Sequence, residues 1–297
     1  METTISILKN FNNLRILAYH TVHDLANFED QLIYIKQNYS VLSTDQIPQF
    51  LKNKILLPKR PLLITFDDGD PSVYRNAFPI LKKFNIPAIL FVVTDLINSK
   101  KPFWWDEVEY YLGKVEGNRK VWEIKDWPNM QRVEYLENLR KTSTKPRLNF
   151  DQLNLKQIRE MQASGITIAN HSHTHPMLDQ CTLEEVDYEI KCSTEKLKEL
   201  NFCHDIFAYP NGNHSIITES VLSKYGIEKA FLFDHKITKS TNHPFRISRL
   251  IVNDHTPLWK FKLILSGFHG RILPITRFVG KIKSKIRSKN EYINNYR

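Results

Sequence analysis

The chain predicts an α/β fold of parallel strands joined by helical crossovers. Two observations carry this. From residue 14 to residue 252, short apolar runs alternate with stretches of helical spacing, as βαβ units do. And two clusters of chemically active residues each follow an apolar run, the position at which α/β folds build their sites. The first is Asp67-Asp68-Gly69; the second is His171-Ser172-His173-Thr174-His175.

The elements follow in order. Residues 14–19 form an apolar run that ends in His20, a buried strand with a polar tip. Residues 28–39 have helical spacing through Phe28, Leu32 and Ile35, and residues 45–52 predict a second short helix entered through Ser43-Thr44. Residues 62–66 are a strand, 73–84 a helix and 88–93 the next strand. Over residues 101–150 the pattern changes to mixed aromatic and charged residues, which predicts an insertion of helices and loops over one end of the core. Residues 154–163 are a helix stopped by Ser164-Gly165. Residues 166–169 are the strand that delivers His171, and 182–200 a long helix with acids first and lysines last, as the macrodipole favours. A strand at 206–209, a helix at 218–225 and strands at 229–233 and 247–252 complete the domain, whose expected extent is 1–265.

Composition sets bounds. With 297 residues, 41% of them hydrophobic, the chain has enough for a sizeable core. Its longest apolar stretch, residues 86–96, is short for a membrane span and contains Pro87 and Asp95. Residues 1–13 lack the plan of a signal peptide, which makes a cytoplasmic location the expectation. Cys181, Cys192 and Cys203 are odd in number and form no CxxC, so buried, reduced thiols are expected rather than a disulfide framework or a cysteine-ligated zinc. The net charge of +10 is concentrated at the C-terminus, where residues 266–297 carry basic residues from Arg271 to Arg297 against a single acid, Glu291. Interleaved apolar residues such as Ile275, Phe278 and Ile282 make residues 270–297 a basic amphipathic tail, suited to an anionic membrane on the cytoplasmic face or simply to solvent. No nucleic-acid module accompanies the charge, so nucleic acid is not an expected partner.

The two clusters together suggest a metal-dependent hydrolase. Two histidines four residues apart and a carboxylate from another strand end supply three ligands and leave positions open. Such a set suits zinc and accepts cobalt, nickel or other first-row ions. Of two adjacent carboxylates, one can bind the cation while the other accepts a proton from the attacking water. Adjacent strand residues face opposite ways, so both reach one site only where the strand breaks, and Gly69 provides a break. His173 stands between the ligands and is expected to play a supporting part.

These residues resemble the polysaccharide deacetylases of the NodB-homology type, carbohydrate esterase family 4. Their T-F-D-D-G motif is matched by residues 65–69 and their H-S/T-x-x-H motif by His171, Ser172 and His175. The resemblance implies a distorted, TIM-like (β/α) barrel of about seven strands. It implies Asp67 as catalytic base, Asp68, His171 and His175 as metal ligands, and hydrolysis of the acetamide of an N-acetylated sugar. Leu17-Ala18-Tyr19-His20, Trp104-Trp105-Asp106 and residues 207–212 (F-A-Y-P-N-G) resemble elements of a subgroup that deacetylates exopolysaccharide N-acetylglucosamine. In that subgroup the general acid sits near the N-terminus, which points to His20, with His255 as the fallback. Where the family has an arginine that orients the base, this chain has Ala208; Arg246 or Arg249 would take its place. The family's oxyanion donor is the backbone N–H of a tyrosine, replaced here by Asn211, whose N–H survives the exchange. Trp104 and Trp105 are candidates either for sugar stacking or for core. The expected substrate is an N-acetylhexosamine in a glycan or in a lipid- or nucleotide-linked precursor. An O-acetyl sugar esterase and a catalytically silent glycan-binding module are the alternatives.

Overall fold

The computed structural model describes residues 13–46, 58–238 and 243–267. The expected tail at 270–297 and most of the expected helix at 45–52 lie outside them; the described start of that segment is a 3-10 turn, Thr44–Gln46.

Among the described residues every strand pairing is parallel, as the alternation predicted. The strands are β1 (Arg15–Tyr19), β2 (Ser40–Val41), β3 (Pro61–Phe66), β4 (Ala88–Val92), β5 (Ile166–Asn170), β6 (Ile206–Ala208), β7 (Lys229–Phe231) and β8 (Leu250–Ile251). They run in the order β7-β6-β5-β4-β3-β1-β8, and β2 pairs with the first residues of β3. The segment leading into β8 joins the two ends of the sheet. Ile247 bridges to Phe231 of β7, and Leu250 pairs with Leu17 of β1. The sheet is thereby curled into the distorted barrel expected. The last strand is shorter than predicted for a visible reason. Asp234 accepts from Ser248 Oγ (2.9 Å) and Arg249 N–H (3.3 Å), so a side chain replaces the ladder there.

Strand periodicity sorts the core. Ile16, Leu63, Ile89, Phe91, Ala169, Ile206, Ala208, Phe231 and Ile247 pack together inside the barrel. Their neighbours Leu17, Leu62, Ile64, Leu90 and Ile168 pack outward against helices. Because side chains alternate with period two, the interior set extends at the strands' C-terminal ends to His20, Asp67, His171 and Arg249. The fold thus gathers chemistry at one mouth.

The helices follow local rules. Helix α1 (Leu25–Asn38) is capped by Asp24 and buries Phe28, Leu32 and Ile35. The helix expected at 73–84 begins instead as a π-turn, Val73–Ala77, and continues as α2 (Phe78–Phe84). Pro79 explains the change: it lacks an N–H and its ring excludes the carbonyl four residues back, so a wider register opens. The insertion consists of α3 (Trp104–Leu112), α4 (Lys114–Ile124) and α5 (Asn129–Thr142), around its own small core of Trp104, Val108, Val121, Ile124 and Leu136. Helices α6 (Leu155–Ala163) and α7 (Leu183–Glu199) each start with a capping box, Asn154/Gln157 and Thr182/Glu185. Helices α8 (Ile216–Lys224) and α9 (Leu258–Ser266) follow. The three cysteines are free, but half-buried rather than buried. Burial, with Glu185 beside one and Asp205 beside the other, pushes the Cys181 and Cys203 thiols up to about 12, so neither is reactive at neutral pH.

Candidate active site

Asp67 ends β3 pointing into the barrel, and Arg249 grips it. The guanidinium donates to both carboxylate oxygens, at 2.6 and 2.7 Å, while also reaching Thr65 Oγ1 (3.0 Å) and the Leu232 carbonyl (2.7 Å). Both side chains are almost fully buried. Burial alone would raise the Asp67 pKa; Arg249 first, then His171, turn the shift downward, so the carboxylate stays ionised. Of the two arginines considered from sequence, Arg249 meets Asp67; Arg246 pairs with Glu219 instead (2.7 Å).

Asp68 turns toward the same mouth because its own backbone is left-handed, at φ 70°, and Gly69 continues the turn at φ 78°. The break expected at the glycine therefore begins one residue earlier. A β-carbon at Gly69 would stand 3.3 Å from Val92 Cγ1, in a conformation that disfavours side chains. Asp68 Oδ1 lies 3.2 Å from His171 Nε2 and 3.3 Å from His175 Nε2. The ligand atoms of these three residues lie within 4.8 Å of one another.

The chemistry of this cluster fits a cation. His171 Nδ1 sits 2.8 Å from the Ala208 carbonyl, which only accepts, so Nδ1 holds the proton. In the neutral ring, Nε2 then presents a lone pair to a carboxylate oxygen. Asp68 Oδ1 is buried and receives no hydrogen bond. Two imidazole nitrogens and one carboxylate oxygen aimed at a common point suit zinc or another first-row ion. Burial opposes ionisation of Asp68, but both histidines hold its carboxyl well below the usual range. The histidines respond oppositely. Burial lowers both, and prevails at His175; at His171 the nearby Asp68 and Asp67 outweigh it.

The loop bearing the histidines is tightly tied. Ser172 N–H donates to Asn170 Oδ1 (2.9 Å) and His175 N–H to Ser172 Oγ (3.0 Å). Glu189 of α7 accepts from the N–H groups of His173 and Thr174 (both 2.8 Å) and from Thr174 Oγ1 (2.6 Å). Glu189 had no signal of its own in the sequence, since an acid mid-helix is ordinary. His173 points away from the cluster to Thr94 Oγ1 (2.9 Å) and Tyr188.

His20 Nε2 stands 4.0 Å from Asp67 Oδ2, with its ring edge-on to Phe233 and its side chain 40% exposed. His255, the fallback acid, is not brought to the cluster; it is solvent-exposed and faces Asp24 and Asp254, each at 3.8 Å. Asn211 is also left-handed (φ 57°), in a turn closed by Gly212 N–H on the Tyr209 carbonyl (2.9 Å). Its side-chain oxygen accepts from Lys125 Nζ (3.0 Å), an insertion residue whose ammonium also lies 4.4 Å from the Trp122 ring. Sequence reading did not find Lys125, because only folding brings the insertion to this loop. The two tryptophans part company. Trp104 is core and donates its Nε1–H to the His175 carbonyl (3.2 Å), so it offers no face to a sugar. Trp105 is half-exposed, stacks on Phe103 (4.7 Å) and sets its ring 4.8 Å from that of His175.

Comparison with known proteins agrees with this geometry. The polysaccharide deacetylase family model matches residues 54–230, more than half of the chain. The chain belongs to the polysaccharide deacetylase family. Poly-β-1,6-N-acetyl-D-glucosamine N-deacetylase of Staphylococcus aureus (strain MRSA252) is 24% identical over 252 residues, covering 82% of this chain and 75% of that protein. The Staphylococcus epidermidis enzyme of the same name is 40% identical over 74 residues, 24% of this chain and 25% of that one. Among solved structures, the Streptococcus pyogenes deacetylase PplD in complex with acetate superposes with a TM-score of 0.63 at 22% identity, covering 85% of this chain and 98% of that one. IcaB from Ammonifex degensii gives 0.63 at 23% identity, covering 86% and 96%. These superpositions bear out the distorted barrel. As a polysaccharide deacetylase, the protein meets the expectation of a hydrolase acting on carbon–nitrogen bonds, and its relatives lie in the exopolysaccharide subgroup it resembles.

Proposed function

We propose that the protein removes the N-acetyl group from an N-acetylhexosamine within a glycan or a lipid- or nucleotide-linked glycan precursor. The observation that carries this is the meeting of an arginine-braced carboxylate, Asp67, with the Asp68, His171 and His175 cluster at one barrel mouth. A divalent ion held by those three residues, zinc by preference, would polarise the acetyl carbonyl and acidify a water. Asp67 takes the proton of the attacking water, and Arg249 keeps its carboxylate oriented. The Asn211 N–H donates to the carbonyl oxygen as it gains charge. His20, beside Asp67, returns a proton to the sugar nitrogen as the amine leaves. Trp105 offers a ring to the sugar's apolar face.

The test is acetate release from N-acetylated oligosaccharides by the zinc-loaded protein. Wild type is expected to produce acetate and a free amine, and Asp67→Asn to lose at least about 100-fold in rate. Retained saccharide binding without acetate from wild type would favour a binding module instead. For location, we propose a cytoplasmic enzyme touching the inner membrane face through residues 270–297. Full-length protein is then expected to sediment with anionic vesicles, and a chain lacking 270–297 to remain in the supernatant. Equal sedimentation of the two would refute the membrane role.

A further inference from the structure

Beside the metal cluster lies a cavity of about 880 Å³, a volume suited to a small-molecule ligand. It opens between α5 and the segment 95–105, and His175 and Trp105 form part of its wall. It therefore adjoins the candidate site without containing Asp67 or Asn211.

Its charges do not cancel. Glu107 is consumed by Arg140, which donates to both carboxylate oxygens (2.8 and 2.6 Å). Asp95 gives both oxygens to Lys101 (2.8 and 2.7 Å). Glu137 lies 4.0 Å from Lys141. Each acid in the wall thus has its own cation, and Arg132, Arg147 and Lys100 remain. Lys100 leans to Asp151, outside the wall, at 3.8 Å. For Arg132 and Arg147, no carboxylate among the described residues comes within ion-pair distance.

Arg132 is the unusual one. It is only 4% exposed. Its side-chain hydrogen bonds go to Asn129 Oδ1 (3.2 and 2.6 Å), whose amide in turn donates to Glu185 (2.8 Å), and it lies over the Trp104 ring at 5.2 Å. A guanidinium carries five N–H donors; Glu189 and Glu185 offset part of its charge at a distance, but neither pairs with it directly, and burial still outweighs them. Trp104 in turn bonds the His175 carbonyl, which links Arg132 to the metal loop.

We propose that this cavity is an anion subsite that seats a phosphate group carried by the acetylated saccharide, anchored by Arg132 and rimmed by Arg147. Arginine suits the task, because its planar fork matches phosphate oxygens two at a time. The saccharide part rests on the deacetylase reading above; the subsite itself rests on the charge imbalance.

The test compares an N-acetylglucosamine disaccharide with and without an anomeric phosphate, by acetate release and by calorimetry with the full-length protein. The phosphorylated form is expected to show a KM at least about tenfold lower than the neutral form. Arg132→Lys and Arg147→Ala are each expected to shrink that ratio, a readout that general loss of fold does not move. Equal KM values, or a ratio that survives both substitutions, would overturn the proposal. Calorimetry repeated after chelation removes any phosphate held by metal. If inorganic phosphate binds the stripped protein and the phosphosaccharide binds no tighter than the neutral one, the assignment to a substrate phosphate is wrong. If neither saccharide yields acetate while the phosphorylated form binds in an Arg132-dependent way, the subsite stands and the deacetylase reading falls.

Discussion

At the residue scale, the tightest constraint in the site is the pairing of Asp67 with Arg249. Two buried groups exchange two hydrogen bonds of 2.6 and 2.7 Å. A buried pair of this kind is weak evidence for stability, but breaking it leaves an uncompensated charge. Its value here is orientation: the fork fixes the plane of the carboxylate that the proposed mechanism uses as its base. Arg249→Lys keeps the charge and loses the fork. The expected result is a fall in kcat/KM of roughly 10- to 100-fold with the cooperative thermal transition retained, measured by acetate release and calorimetry. An unchanged kcat/KM would show that orientation by Arg249 is not needed. Asp67, Asp68 and His171 were legible in the sequence because their residue types stand at strand ends. Arg249 was one of two possibilities, since the choice depends on side-chain parity across a strand that Asp234 interrupts. Glu189, Lys125 and Arg132 were illegible. Each is an ordinary charged helix or helix-end residue until packing aims it.

At the element scale, caps and periodicity made most helices readable, whereas Pro79 opened a π-turn that a simple helical pattern does not reveal. The insertion was legible only as a change of composition. Its folded form crowds acids near the mouth. Burial, then Glu109, Asp70 and Asp68, raise the Asp106 carboxyl to about 6. The sign of the consequence follows from linkage. Between the ordinary carboxyl range and about 6, the folded chain holds a proton that the unfolded chain has released. This contribution to stability is full at low pH and is lost as pH rises through about 6. Asp106→Asn removes the penalty. Discounted for partial exposure, the gain is about 1 kcal/mol, or roughly 2 to 4 °C in Tm, at neutral pH and near zero at about pH 4. Calorimetry with chelator present checks it. A variant no more stable than wild type at neutral pH would mean the mouth is not strained by its own acids.

At the scale of the whole molecule, a curled parallel sheet converts strand order into a site. Residues 67, 171 and 249 are far apart in sequence, yet period-two alternation sends each into the same barrel mouth. Left-handed backbone at Asp68 and His175 then brings in what alternation would have turned away. The sequence revealed the alternation and the motifs; it did not reveal the ring closure through Ile247 or the cavity under the insertion, because both depend on contacts between distant segments. The central claim is that Asp68, His171 and His175 hold one divalent ion. Its most direct test is equilibrium binding of cobalt, read by visible absorbance, to wild type, His171→Ala and His173→Ala. A single ion per wild-type chain, retained by the His173 variant and lost by the His171 variant, is the expected result. Equally tight binding by the His171 variant, or none by wild type, would contradict the account.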